Sequence, residues 1–343
     1  MSIFGRKFKI FLVSLMMAVC LGGRAVAFEL FQFSVAPKYA LQNGQMNEYV
    51  LYTNGNKLSE LNWEIQNISL LGFNATMGWE MLLIEANCIW GFPKDSGQML
   101  DSDWQNTSNY GMKTNYSESS NAVDYLGDLE LRLGLNIKTW DFLHIIPYGG
   151  ISYSRSKFTA SGGTYWYGDA ESQAVYWYGN EYTSHLSEFS NVSYNSDDAI
   201  TGSLDSYGDV ISYERETFNY VLGVKAKYNF FTRFTVTADI GVAVFTQINS
   251  VDHHILKDNT SSPSYYFDKM QGFFKSFNFG AEFDVKIWQG LSAGAGGNFV
   301  FVNQILGKDY SKKSTDSKYT LELESAAADC FYYNIEFFVR YSF

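Results

Sequence analysis

The chain ends in Phe331-Tyr332-Tyr333-Asn334-Ile335-Glu336-Phe337-Phe338-Val339-Arg340-Tyr341-Ser342-Phe343, and this stretch decides its fold. Every odd position is apolar or aromatic, whereas several even positions are polar, namely Asn334, Glu336, Arg340 and Ser342. Successive side chains on a β-strand point to opposite faces, so this strand has one apolar and one largely polar face. The pattern is typical of a transmembrane β-barrel, whose apolar side chains meet lipid and whose polar side chains line the lumen.

The two ends of the chain support this interpretation. A final Phe closing such a strand resembles the sorting signal of bacterial outer-membrane barrels. At the other end, basic residues at positions 6, 7 and 9 precede a mostly apolar run, and Ala25-Val26-Ala27 has the small-x-small pattern of a signal-peptidase site. The apolar run is shorter than the roughly 20 residues of a spanning helix. We therefore predict a signal peptide over residues 1–27 and a single β-barrel domain over residues 28–343.

The amino-acid composition excludes some classes of function and of structure. The net charge of −11 becomes −15 once the four basic residues of the signal peptide are removed, which argues against nucleic acid and suits cationic substrates. The content of 25 Tyr and 28 Phe with only four Pro favours strands. After Ala27 no apolar run approaches the length of a membrane helix, so insertion into a membrane requires a closed barrel. We interpret Cys88 and Cys330 as two buried or lipid-facing thiols, with a disulfide between them as the alternative.

Long alternating segments predict ten strands. They cover about residues 29–52, 58–79, 81–92, 123–139, 144–167, 206–230, 232–254, 272–288, 291–305 and 319–343. Five polar connections on one side are the predicted extracellular loops, at 53–57, 93–122, 168–205, 255–271 and 306–318. An even number of strands with both termini on one side is the arrangement of bacterial barrels.

The strands are longer than a membrane requires. At about 3.3 Å per residue and about 40° of tilt, 20 residues rise about 50 Å, well past a hydrocarbon layer of about 25–30 Å. The predicted fold is therefore an all-β, ten-stranded antiparallel transmembrane barrel that extends beyond the outer membrane on the extracellular side. Side chains largely fill so narrow a lumen, so we expect any chemistry at the extracellular rim.

Two short motifs carry candidate chemistry. Asp101 and Asp103 lie one residue apart in the predicted loop 93–122, and Asp252 and His254 lie one residue apart at the end of the seventh strand. A histidine is a base near neutral pH, and a neighbouring carboxylate can hold and bias its ring. Two close carboxylates can share a proton and anchor one water molecule. His253 is the alternative imidazole, although the spacing favours His254.

For the side chains of Asp252 and His254 to face the lumen, their strand must contain an irregularity. In strand 232–254 the odd positions are predicted to face the lumen, yet Asp252 and His254 are even. We therefore predict a β-bulge between Gln247 and Val251, because a bulge re-aims the side chains that follow it.

Several motifs together resemble the omptin family of outer-membrane aspartate proteases. Asp101-Ser102-Asp103-Trp104 follows the third strand and Asp252-His253-His254 follows the seventh, as in that family. The run Arg155-Ser156-Lys157-Phe158-Thr159-Ala160-Ser161-Gly162-Gly163-Thr164-Tyr165 is similar to its strand-5 signature, and Gly44–Glu48 is similar to the start of its barrel. The resemblance implies an endopeptidase in which Asp101 and Asp103 hold the attacking water opposite Asp252 and His254.

The resemblance also implies a substrate pocket and a lipid contact. Glu48 would lie at the floor of a pocket for an Arg or Lys side chain, but Ser250 stands where the family has a second acid. Strict cleavage between paired basic residues therefore does not follow. Family members require lipopolysaccharide, bound by basic and aromatic residues on the outer wall. Only Arg155 matches that set, because Ile151 and Tyr153 differ, and this leaves the lipopolysaccharide requirement open.

The resulting prediction is an outer-membrane endopeptidase with an extracellular active site, with peptides or proteins carrying a basic P1 residue as substrates. It needs no cofactor or metal, and its other partner is outer-membrane lipid. A catalytically inactive barrel acting as an adhesin or surface binding module is the alternative. A narrow channel or transporter is disfavoured by the strand count. No sequence pattern indicates an oligomeric state.

Overall fold

The computed structural model describes residues 31–105, 107, 110–111, 113–167 and 200–343, without the side chains of residues 166, 167, 200 and 201. The predicted signal peptide, the first residues of the first predicted strand and most of the predicted loop 168–205 lie outside the described residues. In the described part, no helix is long and apolar enough to cross a membrane. The thiols of Cys88 and Cys330 are free, as predicted.

The described chain is almost entirely β-structure. Its strand segments are β1 (Phe31–Leu51), β2 (Lys57–Trp79), β3 (Leu82–Gly91), β4 (Lys94–Asp103), β5 (Asn115–Leu135), β6 (Ile137–Trp140), β7 (Leu143–Tyr167), β8 (Ile200–Ser203), β9 (Asp209–Phe230), β10 (Phe234–His254), β11 (Tyr265–Gly272), β12 (Ser276–Trp288), β13 (Leu291–Lys312) and β14 (Thr320–Ser342). Short 3₁₀ turns cover Asp205–Tyr207 and Ile255–Lys257.

These segments form a closed ring of ten antiparallel strands. β3 and β4 run one after the other between β2 and β5, and β11 and β12 do the same between β10 and β13. β1 and β14 close the ring, with pairs from Ser34–Ser342 to Leu51–Ser325. Closure satisfies the backbone hydrogen bonds of every strand without water, which a barrel in lipid requires. The predicted ten-stranded antiparallel barrel is confirmed.

Three of the predicted loops are too long. β4 and the first residues of β5 occupy most of the predicted loop 93–122, β11 lies inside the predicted loop before residue 272, and β13 continues to Lys312. Above the membrane both strand faces can be polar, so the apolar alternation used to find strands disappears there although the backbone pairing continues. Asp101 and Asp103 therefore lie on a strand and not in a loop.

The lower part of the barrel has an apolar outside and a charged inside. Leu129, Leu131, Leu133 and Leu135 are exposed on β5 in one row, and equivalent apolar rows follow on the other long strands. Inside, ion pairs link opposite charges of different strands, as in Arg132–Asp239, Lys225–Glu85 (2.5 Å), Lys38–Glu336 (3.1 Å) and Arg340–Asp284 (2.6 Å). Buried charges are costly unless paired, so this network fills the lumen with side chains.

Aromatic packing closes the lumen above the ion pairs. The ring of Trp63 is fully buried; it stacks on Tyr213 at 5.8 Å and lies 5.7 Å from Phe158. Met46 and Met99 belong to the same buried cluster. The extracellular cavity of the barrel therefore has a solid apolar floor.

A bulge in β10 sets the direction of the second motif, but it is not where we predicted it. The pairing of β10 with β9 shifts between Ala243 and Phe245, before the predicted interval 247–251. Below the shift Asp239 and Ala243 are buried, and above it even residues such as Thr246 and Ser250 are buried. β5 shows a similar shift between Val123 and Tyr125. The prediction of a bulge is confirmed and its position is wrong.

The barrel predicts where a charge is tolerated. Ile240 is exposed on the outer wall six residues above the turn before β10, near the middle of the apolar band, whereas Leu323 is exposed at the other end of the barrel. We expect Ile240→Lys to lower the free energy of unfolding from lipid vesicles by about 2–4 kcal/mol. Leu323→Lys is the matched control and should change it by less than about 0.5 kcal/mol. Equal costs would contradict the assignment of the band.

Candidate active site

β4 presents Asp101 and Asp103 to the extracellular cavity. Both share a strand face with Met99, which is fully buried in the core, so the alternation of the strand points the two carboxylates inward. Asp101 is paired across the sheet with Leu61 and Ser117. The strand ends at Asp103, although the Trp104 N–H still bonds to the Leu58 carbonyl of β2 (2.8 Å).

Hydrogen bonds fix one carboxylate of this pair more firmly than the other. Asp103 Oδ2 accepts hydrogen bonds from Asn115 Nδ2 (3.2 Å) and Gln105 Nε2 (3.4 Å). Burial raises the pKa of Asp103, and donation by Ser59 and Asn115 partly offsets this. The pKa of Asp101 is well above its usual range because of burial and the charge of Asp103. These upward shifts favour a proton shared between the two carboxyl groups.

β10 presents Asp252 and His254 from the bulged part of the strand. His254 Nε2 lies 2.6 Å from Asp252 Oδ2, and the Asp252 side chain is almost completely buried. The His254 ring packs edge-on against Tyr266 at 5.2 Å, and its backbone N–H bonds to the Ser264 carbonyl. The ring is thus held by a carboxylate, an aromatic side chain and its own backbone, and Nδ1 is the nitrogen left for other partners.

The neighbouring histidine is directed elsewhere. His253 Nε2 lies 2.8 Å from Asp258 Oδ2, and its ring stacks on Tyr265 at 3.9 Å. Successive residues on a strand point to opposite faces, so His253 and His254 cannot both face the cavity. The structure places His254, and not His253, beside Asp252.

The Asp101–Asp103 pair on β4 and the Asp252–His254 pair on β10 interact electrostatically across the cavity. β5, β7 and β9 separate β4 from β10 around the ring, so the inner faces of β4 and β10 look toward each other. The charge of Asp252 raises the pKa of Asp101, and the charge of His254 lowers the pKa of Asp103. Such an arrangement can hold a water molecule between a base on one wall and a carboxyl pair on the other.

Lys257 adds a positive charge to the same space. It follows His254 on the short 3₁₀ turn, and its ammonium group lies 3.5 Å from the Tyr266 hydroxyl. Its charge lowers the pKa values of both Asp101 and Asp103. Lys257 was not predicted from the sequence, where it lies in an expected loop without a motif.

Glu48 and Ser250 lie together beneath the Asp252–His254 pair. Glu48 is about 2% exposed on β1, and its pKa is well above its usual range because of burial and then the charges of Asp252 and Asp268. Ser250 is fully buried and donates a hydrogen bond of 3.0 Å to Asp268 Oδ2. The structure therefore brings Glu48 and Ser250 to one place, with an acid that sequence reasoning did not single out.

Asp268 and Asp309 were missed because both lie in stretches predicted as loops. β11 pairs Asp268 with Ser250 on one side, and with Asp309 of β13 on the other. Extending the strand parity of residues 272–288 through the polar segment could have placed Asp268 inward. The parity of residues 291–305 would have placed Asp309 outward, because the register of β13 shifts between Val302 and Ile305. No single motif marks them.

Arg155 lies away from this site. It is on the outer wall, where its Nε donates to Glu214 (2.8 Å) and approaches Glu216 (3.5 Å), and its guanidinium lies over the Tyr125 ring. Two carboxylates thus balance its charge. The predicted lipid contact of Arg155 stays a prediction.

Comparisons with known proteins agree with the fold and the motifs. The model of the Omptin family matches residues 31–289. The chain is 24% identical over 248 residues to the plasminogen activator of Yersinia pestis, covering 68% of each chain. It is 30% identical over 132 residues to protease 7 of Escherichia coli strain K12, covering 36% of this chain and 39% of that protein.

The comparison with solved structures supports the architecture. The crystal structure of the outer membrane protease OmpT from Escherichia coli superposes with a TM-score of 0.75 at 15% identity, covering 94% of this chain and 100% of that one. The outer membrane protease OmpP of Escherichia coli strain K12 is a further relative, 30% identical over 124 residues, covering 34% of this chain and 37% of that protein. This chain belongs to the Omptin family and is an outer-membrane β-barrel whose site opens on the extracellular side.

Proposed function

We propose that this chain is an endopeptidase that hydrolyses peptide bonds by direct attack of water. The observation that carries the proposal is the pair formed by His254 and Asp252, at 2.6 Å, on the wall opposite Asp101 and Asp103. A base, its orienting carboxylate and a proton-sharing carboxyl pair are the groups that such a reaction needs. The names of the relatives, protease 7 and plasminogen activator, support the same class of reaction.

In this proposal His254 is the general base. Its nitrogen that is not bonded to Asp252 accepts a proton from the attacking water, and the Asp252 carboxylate stabilises the imidazolium that forms. Because water is the nucleophile, no covalent bond to the protein is formed. When the tetrahedral intermediate collapses, the C–N bond breaks and the His254 imidazolium returns its proton to the leaving amine.

Asp101 and Asp103 act on the other side of the water and the carbonyl group. Because burial and mutual repulsion keep a proton on the pair, one oxygen can donate a hydrogen bond while the others accept. The donated hydrogen bond can stabilise the negative charge that develops on the carbonyl oxygen. The remaining oxygens anchor the water, so the pair both positions the nucleophile and supports the transition state.

The substrates we propose are peptides or proteins with a basic residue at P1. The buried carboxyl of Glu48 lies close enough to Asp252 for the two to interact electrostatically, so a cationic side chain next to the scissile bond would find an acidic partner. The acidic net charge of the chain also favours cationic substrates.

Removal of the base tests the assignment. We expect His254→Ala and Asp101→Asn to reduce kcat/KM for a fluorogenic peptide with Arg at P1 by at least about 100-fold, because each removes a group that acts on the water. His253→Ala is the matched control and should keep most of the activity, since its ring is paired with Asp258. Equal losses at His253 and His254 would contradict the assignment. No cleavage by the refolded wild type would favour an adhesin or binding module.

A second test uses the charge of Lys257. This charge lowers the pKa of Asp101 and Asp103, so its removal raises both pKa values and the pair keeps its proton to higher pH. We expect Lys257→Ala to move the alkaline limb of the kcat profile upward by roughly half a pH unit.

The control is Lys312→Ala, whose ammonium lies over the rings of Tyr265 and Tyr319, and it should leave the alkaline limb where it is in the wild type. An unchanged limb in Lys257→Ala, or a shift to lower pH, would show that the Asp101–Asp103 proton does not control the reaction.

A further inference from the structure

Three buried carboxyl groups gather beneath the Asp252–His254 pair. Glu48 comes from β1, Asp268 from β11 and Asp309 from β13, and each is at most 3% exposed. Glu48 lies beside Asp268, and Asp268 beside Asp309, close enough for the carboxyl groups of each pair to interact. We refer to these three residues as the acid cluster.

The strand register places the acid cluster one level below the pair of Asp252 and His254, which we call the candidate dyad. Ser250, Asp268 and Asp309 form one row across β10, β11 and β13. Asp252 lies two residues further along β10, in the row above with Tyr266. Two residues of a strand span about 6.6 Å, so the acid cluster and the dyad are about one side-chain length apart.

The acid cluster lacks a positive partner within the chain. In the part of the chain that the structure describes, no Lys or Arg forms an ion pair with Glu48, Asp268 or Asp309. Arg215 is adjacent, but its guanidinium donates to the Asp329 carbonyl (2.8 Å) and to Cys330 Sγ (3.8 Å). Burial and the charges of neighbouring acids raise the pKa values of Glu48 and Asp268 well above the usual range. Burial and then the charge of Glu322 raise the pKa of Asp309 to about 7.

The hydroxyl of Tyr213, beside the acid cluster, also lacks a hydrogen-bond partner among the described residues. Tyr213 is fully buried next to Ser250, and its hydroxyl has no hydrogen-bond partner of good geometry. Its nearest charges are Glu48, Arg215 and Asp268. When the acids are ionised, Glu48 Oε2 and Asp309 Oδ1 likewise have no donor. Buried polar groups without partners are costly, so this place favours a ligand that brings several donors.

We propose that Asp268 and Asp309, together with Glu48, bind the guanidinium or ammonium group of a basic substrate side chain. The negative charge missing at Ser250 is then supplied by the neighbouring strands β11 and β13. This inference rests on the proposed endopeptidase function and names the residues that select its substrate. Ser250 acts as a positioning residue, because its hydroxyl holds the carboxylate of Asp268.

The dimensions suit a long cationic side chain. The path from Cα to the guanidinium carbon of arginine has five bonds of about 1.5 Å, which extend over about 6 Å. That length matches the separation of the dyad and the acid cluster, so a residue whose carbonyl lies at His254 can reach the acids. Guanidinium presents five donors, enough for the carboxylates and the Tyr213 hydroxyl together. A short or apolar side chain would leave them unsatisfied.

The test compares two peptides that differ only at P1, with arginine in one and its neutral isostere citrulline in the other. We expect the wild type to prefer arginine and Asp268→Asn and Asp309→Asn each to lower kcat/KM for arginine by about 10-fold or more, with a smaller loss for citrulline. Asp316→Asn is the matched control, because Asp316 is an exposed acid in the loop after β13. An arginine-to-citrulline ratio unchanged by Asp268→Asn and Asp309→Asn would overturn the proposal.

A binding measurement separates this proposal from catalysis. Agmatine, which carries a guanidinium group, should raise the Tm of the wild type and of His254→Ala, and the shift should disappear in the Asp268→Asn/Asp309→Asn double variant. Ca²⁺ is the competing ligand, and stabilisation by Ca²⁺ but not by agmatine would overturn the proposal. If no peptide is cleaved and agmatine still binds through these acids, the proposed endopeptidase function fails while the cation pocket stands.

Discussion

Closure of the backbone hydrogen-bond ring is the constraint on which the rest of this structure depends. In lipid every backbone N–H and C=O must find a partner within the protein, so β1 has to pair with β14 along its length. Closure fixes the register of every strand, and the register fixes which side chains share a level of the lumen. The row of Ser250, Asp268 and Asp309 is a direct result of it.

The same constraint concentrates charge where water is scarce. Ion pairs satisfy the lower lumen, and the stack of Trp63 on Tyr213 separates it from the cavity above. Above that floor, acids from five different strands face one space with few cations among them. Their mutual repulsion raises the free energy of the ionised state. A bound cationic substrate would reduce this repulsion. The proposed chemistry at Asp101 and the proposed selectivity at Asp268 thus have one electrostatic origin.

The sequence predicted the barrel well because lipid imposes a simple rule. Alternation is strict where one strand face meets hydrocarbon, as in residues 331–343, and short motifs such as Asp101–Asp103 stand out against it. Above the membrane both faces tolerate polar residues, so the sequence patterns of β4 and β11 resemble those of loops. No distinctive residue pattern marks the bulge at Ala243–Phe245. Asp268 and Asp309 become neighbours only through the pairing of β11 with β13. Those features depend on register, which a single sequence does not display.

The central claim is that the groups on β4 and β10 act on one water molecule. A crystal structure of the refolded protein that resolves ordered water tests it most directly. The account predicts a water within hydrogen-bonding distance of a ring nitrogen of His254 and of the Asp101–Asp103 pair. Carboxyl and imidazole groups too far apart to share one or two waters, or a His254 ring turned away from the cavity, would contradict it.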